Sequence, residues 1–117
     1  AEARATYRRA LALIEEALAR GGGPAHLPVA RAVLAAKTGD CALATAAADA
    51  LWREGPRTAQ RCHDLAQAWA LCDRPDEALS ALAEAVDAGF SPGLLREEDE
   101  FASLAGDPRF RALGGGQ

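Results

Sequence analysis

The sequence predicts an all-α protein. About 30 of its 117 residues are alanine, aromatics make up only 5%, and apolar residues recur at helical spacing in a register that repeats along the chain. Alanine is the best helix former and a poor strand former, so the composition disfavours sheet. It also implies close helix packing, because small side chains let backbones approach where Leu or Phe would hold them apart. The length suits one domain with its own core and leaves no room for a second.

The elements follow in order. Residues 2–20 place Ala10, Ile14, Ala17 and Leu18 on one face, and the GGGP at 21–24 then acts as a helix stop and hinge. A second helix over 26–38 carries Val29, Ala32, Val33 and Ala36 on one stripe and ends at Gly39. Asp40 is placed to cap a third over 41–54. The fourth, 57–72, aligns Cys62, Leu65, Ala66, Trp69 and Cys72. The fifth, 75–88, has Pro75 in its first turn and sets Ala78, Ala81 and Ala85 beside Leu79, Leu82 and Val86.

A tail of short helices follows, where Ser91-Pro92 and Asp107-Pro108 each pair a cap with a first-turn proline. Phe90, Leu94, Leu95, Phe101, Leu104, Phe110 and Leu113 supply that tail with large apolar side chains, and all three Phe lie in it. They read as a cap over the open face of the fifth helix. The alternative is a set of exposed aromatics for a partner. The GGGQ at 114–117 reads as a flexible terminus or linker.

The repeat has a period of 34. Writing residues 39–56 above 73–90 sets Gly39 over Asp73, Ala44 over Ala78, Ala48 over Leu82, Leu51 over Ala85 and Trp52 over Val86. A further step back from Ala44 reaches Ala10 in the first helix. A repeat cannot bury its own apolar face, so the small residues at 78 and 85 let neighbouring helices close over it.

Two helices in 34 residues resemble the tetratricopeptide repeat. In the unit 59–92, the family's small residue early in the second helix is Ala78, with Leu82 and Ala85 following at its spacing. In the first helix Leu65, Ala66 and Trp69 match its leucine, small contact residue and aromatic. Cys62 replaces the usual Trp, Asp73 the Gly between helices, and Phe90 the closing Pro. The unit 25–58 keeps Gly39, Ala44 and Pro56 but has Pro28, Arg31 and Ala35 where Trp, Leu and Tyr are typical. Residues 94–113, ending in Asp-Pro-Arg-Phe, are similar to the segment that often closes such arrays in bacterial proteins. The resemblance implies a helical-hairpin solenoid: a lone helix and hinge over 1–24, repeats over 25–58 and 59–92, and a cap over 93–113. Such arrays often sit at the C-termini of bacterial kinases, cyclases and transcriptional regulators.

Charge and chemistry narrow the role. The net charge of −4 argues against nucleic acid, which requires a basic face. Residues 1–58 hold 8 Lys/Arg against 6 Asp/Glu and residues 59–117 hold 5 against 11, giving +2 and −6. The acidic half is either a solvated face or a surface for a basic partner. No apolar run approaches a membrane span. Three cysteines without a secretion signal point to a reducing, cytoplasmic setting. The chain begins at Ala1 rather than Met, consistent with a piece of something longer.

Cys62, His63 and Cys72 do not form a zinc set. The two cysteines lie on the buried stripe as small hydrophobes, while His63 turns about 100° away. Cys41, in a helix first turn, reads as a surface-edge thiol. No Ser or Cys nucleophile has a suitable His and carboxylate, no phosphate loop is present, and the acidic run 97–100 lacks calcium-loop spacing. The expectation is no catalysis, no cofactor and no metal.

A binding surface remains. In tetratricopeptide arrays the first helix of each unit lines a groove. The resemblance therefore implies His26, Val29, Val33 and Lys37, with Ala36, from one unit, and Gln60, His63, Gln67 and Leu71, with Ala70, from the next. The family's clamp for C-terminal carboxylates needs Lys and Asn or Arg, where this chain has Val29, Val33, His63 and Gln67. The expected partner is a short helix or extended peptide. Two other readings stand beside it: a groove filled within a larger signalling protein, and self-association into a homodimer through the unpaired helix at 2–20.

Overall fold

The computed structural model describes residues 2–21 and 23–113; the glycine-rich terminus expected at 114–117 lies outside them. Five long helices run in order: α1 (Glu2–Ala19), α2 (Leu27–Lys37), α3 (Cys41–Glu54), α4 (Ala59–Leu71) and α5 (Pro75–Asp87). The tail adds α6 (Pro92–Glu97), a 3-10 helix over Asp99–Leu104 and α7 (Pro108–Arg111). Among the described residues there is no strand.

The boundaries follow from local chemistry. Asp40 accepts from the Leu43 amide at 3.2 Å, and Thr58 accepts from the Arg61 amide at 3.2 Å, each satisfying a donor that the first turn leaves free. Asp107 does the same for the Arg109 amide at 2.8 Å. Ser91 occupies the corresponding place before α6 but makes no side-chain cap bond. Pro75 opens α5 with Asp76 and Glu77 in its first turn, where the helix dipole favours negative charge.

Asp73 stands where the matching turn has Gly39, and its place has a direct conformational account. Gly39 has φ +91° and Asp73 φ +60°, so both hairpin turns use the left-handed region. Asp is one of the few side chains that enter it readily. The turn geometry repeats although the residue does not.

Alanine sets the packing. Helix α2 packs on α1, α3 and α4; α4 packs on α3, α5 and the 3-10 helix. Ala32, Ala35, Ala44, Ala48, Ala66, Ala68, Ala78, Ala81 and Ala85 are all fully buried, and Leu65, Leu82 and Trp69 fill the volume between them. The Trp69 indole N–H donates to Asp49 Oδ1 at 3.2 Å, tying α4 to α3 and satisfying a buried donor. Because a buried alanine leaves no slack, Ala78→Leu is expected to overpack the α4–α5 contact and destabilise by about 1–3 kcal/mol. Urea unfolding of the variant would measure this, and an unchanged midpoint would show that the contact has room.

The tail is a cap. Leu95, Phe101, Leu104, Phe110 and Leu113 are buried in the core, and Phe90 packs against it. Leu94 departs from the expected set, being 56% exposed. In the short α6 its neighbour Leu95 takes the inward position. Arg96 donates from Nη2 to the Leu113 carbonyl at 2.8 Å, closing the two ends of the cap on each other. Arg109 bridges Asp107 in the cap and Asp76 on α5.

The cysteine reading needs correction. Cys41 and Cys72, expected to be free thiols, are joined in a disulfide across 31 residues, while Cys62 is free and buried. Packing of α3 on α4 brings the start of one helix to the end of the other, with the two Cα atoms 5.5 Å apart, inside the range a disulfide spans. The pair removes the argument for a reducing compartment that rested on unpaired cysteines. Burial is the main cause that pushes the Cys62 thiol up, with Glu84 adding to it, so this sulfur is an inert core residue.

Candidate binding groove

The residues carried over as groove positions lie on α2 and α4 and in the turn before α2, and the structure divides them into two sets. His26, Val29, Val33, Gln60 and Gln67 border two adjoining hollows between the helices, of about 330 and 200 Å³. Both hollows share His26, Val29 and Asp64, so they read as one shallow trough. Its walls are apolar along α2, where Val29, Ala30, Val33 and Leu34 line it. They are polar along α4, where Gln60, Asp64 and Gln67 face it. His26 and Gln60 are exposed, Val33 is half-buried and Val29 is buried.

The second set, His63, Lys37 and Leu71, borders neither hollow. His63, expected to turn away from the core, is only 7% exposed. Its ring stacks on Phe90 at 4.5 Å between centroids and meets Phe101 edge-on at 5.8 Å. His63 Nε2 lies 2.8 Å from Glu98 Oε1, and Nδ1 lies 2.8 Å from Asp64 Oδ1. Gln67 donates to the same Glu98 oxygen at 2.9 Å, and Gln60 donates to Asp64 Oδ1 at 2.8 Å. At the far end of α2, Lys37 pairs with Glu100 at 3.2 Å and sits over the Tyr7 ring. Leu71, at the end of α4, is 38% exposed and borders neither hollow.

The 100° offset that removes His63 from the α4 core stripe turns it towards the path of the cap. Stacking, edge contact and two carboxylates then bury a polar ring with each nitrogen satisfied. Burial of the ring opposes its charge and is the largest single influence. The hydrogen bonds to Asp64 and Glu98, with the attraction of both carboxylates, together outweigh it and hold the imidazole above its ordinary value.

This constellation was missed in the sequence because Glu98 lies 35 residues from His63. The available signal was the acidic run beside Phe101: a cap rich in carboxylates must set them against something. Both ring nitrogens of His63 face carboxylate oxygens, and the ring is buried. Among the described residues no group of His, Cys, Asp and Glu side chains is arranged to hold a metal ion, and no helix is long and apolar enough to cross a membrane.

A further hollow of about 310 Å³ opens between Trp52, Trp69, Asp49, Asp76 and Glu77. Its carboxylates are already engaged, Asp49 and Glu77 by Arg74 and Asp76 by Arg109. Arg57 covers the Trp52 ring at 3.9 Å. On α1, Leu13 stands 65% exposed. Comparison with family models, with curated proteins and with solved structures returns no match.

Proposed function

We propose that the chain is a tetratricopeptide-like interaction module that holds a protein or peptide segment in the trough between α2 and α4, without catalysis of its own. The observation that carries this reading is the trough itself. One half of the face formed by α2 and α4 is sealed by the cap, while the half bordered by His26, Val29, Val33, Gln60 and Gln67 stays open. An aliphatic wall facing a row of amide and carboxylate groups suits a segment with apolar side chains on one edge and hydrogen-bond donors on the other.

The period of 34, the repeated left-handed turn and the alanine-lined hairpins support the repeat reading.

A displayed library of random peptides panned against the purified domain tests the proposal. Enriched peptides should bind at least tenfold more weakly to Val33→Arg, a loss of about 1.4 kcal/mol, with the fold retained by circular dichroism. Failure to enrich any sequence, or equal binding by wild type and variant, would remove the trough from consideration.

A further inference from the structure

We propose that His63 is a pH-sensitive latch that fastens the C-terminal cap across the α4 half of the groove, holding when the ring is charged and loosening when it is neutral. The geometry carries the argument. A neutral imidazole has one N–H, yet both ring nitrogens of His63 face carboxylate oxygens at 2.8 Å, Asp64 on α4 and Glu98 in the cap. Only the doubly protonated ring can donate to both. Loss of the Nε2 proton sets a lone pair against Glu98 in a buried place, which repels. Loss of the Nδ1 proton leaves the Gln60 amide 3.4 Å away as a donor to the bare nitrogen, and a bond to Glu98 that is no longer assisted by a charge on the ring.

The two carboxylates play different parts. Asp64 adjoins His63 on the same helix and orients the ring with help from the Gln60 amide. Glu98 belongs to the cap, so its bond is the one that spans the two structures. The charged groups around the ring are therefore Asp64 from α4, Glu98 and Glu100 from the cap, and Lys37 from α2 as the partner of Glu100. Phe90 and Phe101 exclude water from its face and edge.

The sign follows from linkage. A histidine held above its ordinary value of about 6.5 contributes stability that is complete below that pH and is lost as pH rises through the raised value. The latch thus holds fully below the ordinary histidine value and slackens as pH rises through the raised one. Opening exposes His63, frees Gln67 from Glu98 and extends the face that the trough begins. The inference concerns the covered half of the groove and stands whether or not the open half binds a peptide.

Amide hydrogen exchange over residues 98–104, corrected for the intrinsic pH dependence of exchange, tests it on the whole chain. Between pH 6 and 8.5, protection in the cap should fall severalfold in the wild type as the ring loses its charge. In Glu98→Gln and in His63→Gln it should stay level with pH. The Glu98→Gln side chain keeps its size and can still accept from Gln67, so this variant tests the latch even if His63→Gln folds poorly. Protection that is flat with pH in the wild type, or a fall that persists in Glu98→Gln, would overturn the proposal.

Discussion

Phe101→Ala is expected to destabilise the protein by about 3–5 kcal/mol, the range for deleting a fully buried phenyl ring. Phe101 is 1% exposed and touches both sides of the cap contact, meeting His63 edge-on and lying 6.4 Å from the Phe110 ring. Removing it takes a wall from the His63 site as well as volume from the core. A domain of this length has about 5–15 kcal/mol of total stability, so the loss is a large share of it. Thermal melting should show a midpoint lower by roughly 10–20 °C, and cap amides should exchange faster than those of α2 and α3. A variant within about 1 kcal/mol of wild type would mean that the tail rests on the helices without sharing their core.

Breaking the Cys41–Cys72 bond should cost about 3–4 kcal/mol in the chain-entropy account, because it releases a closed loop of 31 residues in the unfolded state. Cys41→Ser and Cys72→Ser should each lower the urea midpoint, the double variant should match the singles, and reductant should have no further effect on any of them. Titration of thiols on the unreduced, unfolded wild type should find Cys62 alone. Equal midpoints with and without reductant, or three reactive thiols, would contradict the cross-link. The native contact that brings the cysteines together is made by α3 and α4 across the boundary between the two hairpins. Its loss should therefore be felt at that boundary first.

The helices were legible because their signals are local. Asp40 and Pro75 mark starts that the structure keeps, and Gly39 and Asp73 mark the matching turns. The alanine stripe of α5 is buried as its spacing implies. The tail's apolar residues were readable as a cap because they are too many and too large to remain in water, and all but Leu94 and the half-buried Phe90 are sealed in the core.

Pairwise events between distant residues were not legible. Cys41 sits at the start of one helix and Cys72 at the end of another, and only the stacking angle of the hairpins decides whether they meet. Spacing along one helix placed His63 off the core stripe of α4, correctly as far as α4 goes. What covers that face is a segment 35 residues further on, whose path no local pattern specifies. The groove positions were reached through a family resemblance, and the resemblance has no information on where this chain's own tail would lie.

The most direct test of the central claim is a two-dimensional amide NMR titration of the labelled protein with a peptide selected by panning. The account predicts shift changes confined to residues 25–34 and 58–67, the two sides of the trough, with the cap resonances undisturbed at pH 6. Changes centred on Leu13 and the rest of α1, or on Trp52 and its neighbours, would place binding elsewhere and contradict it.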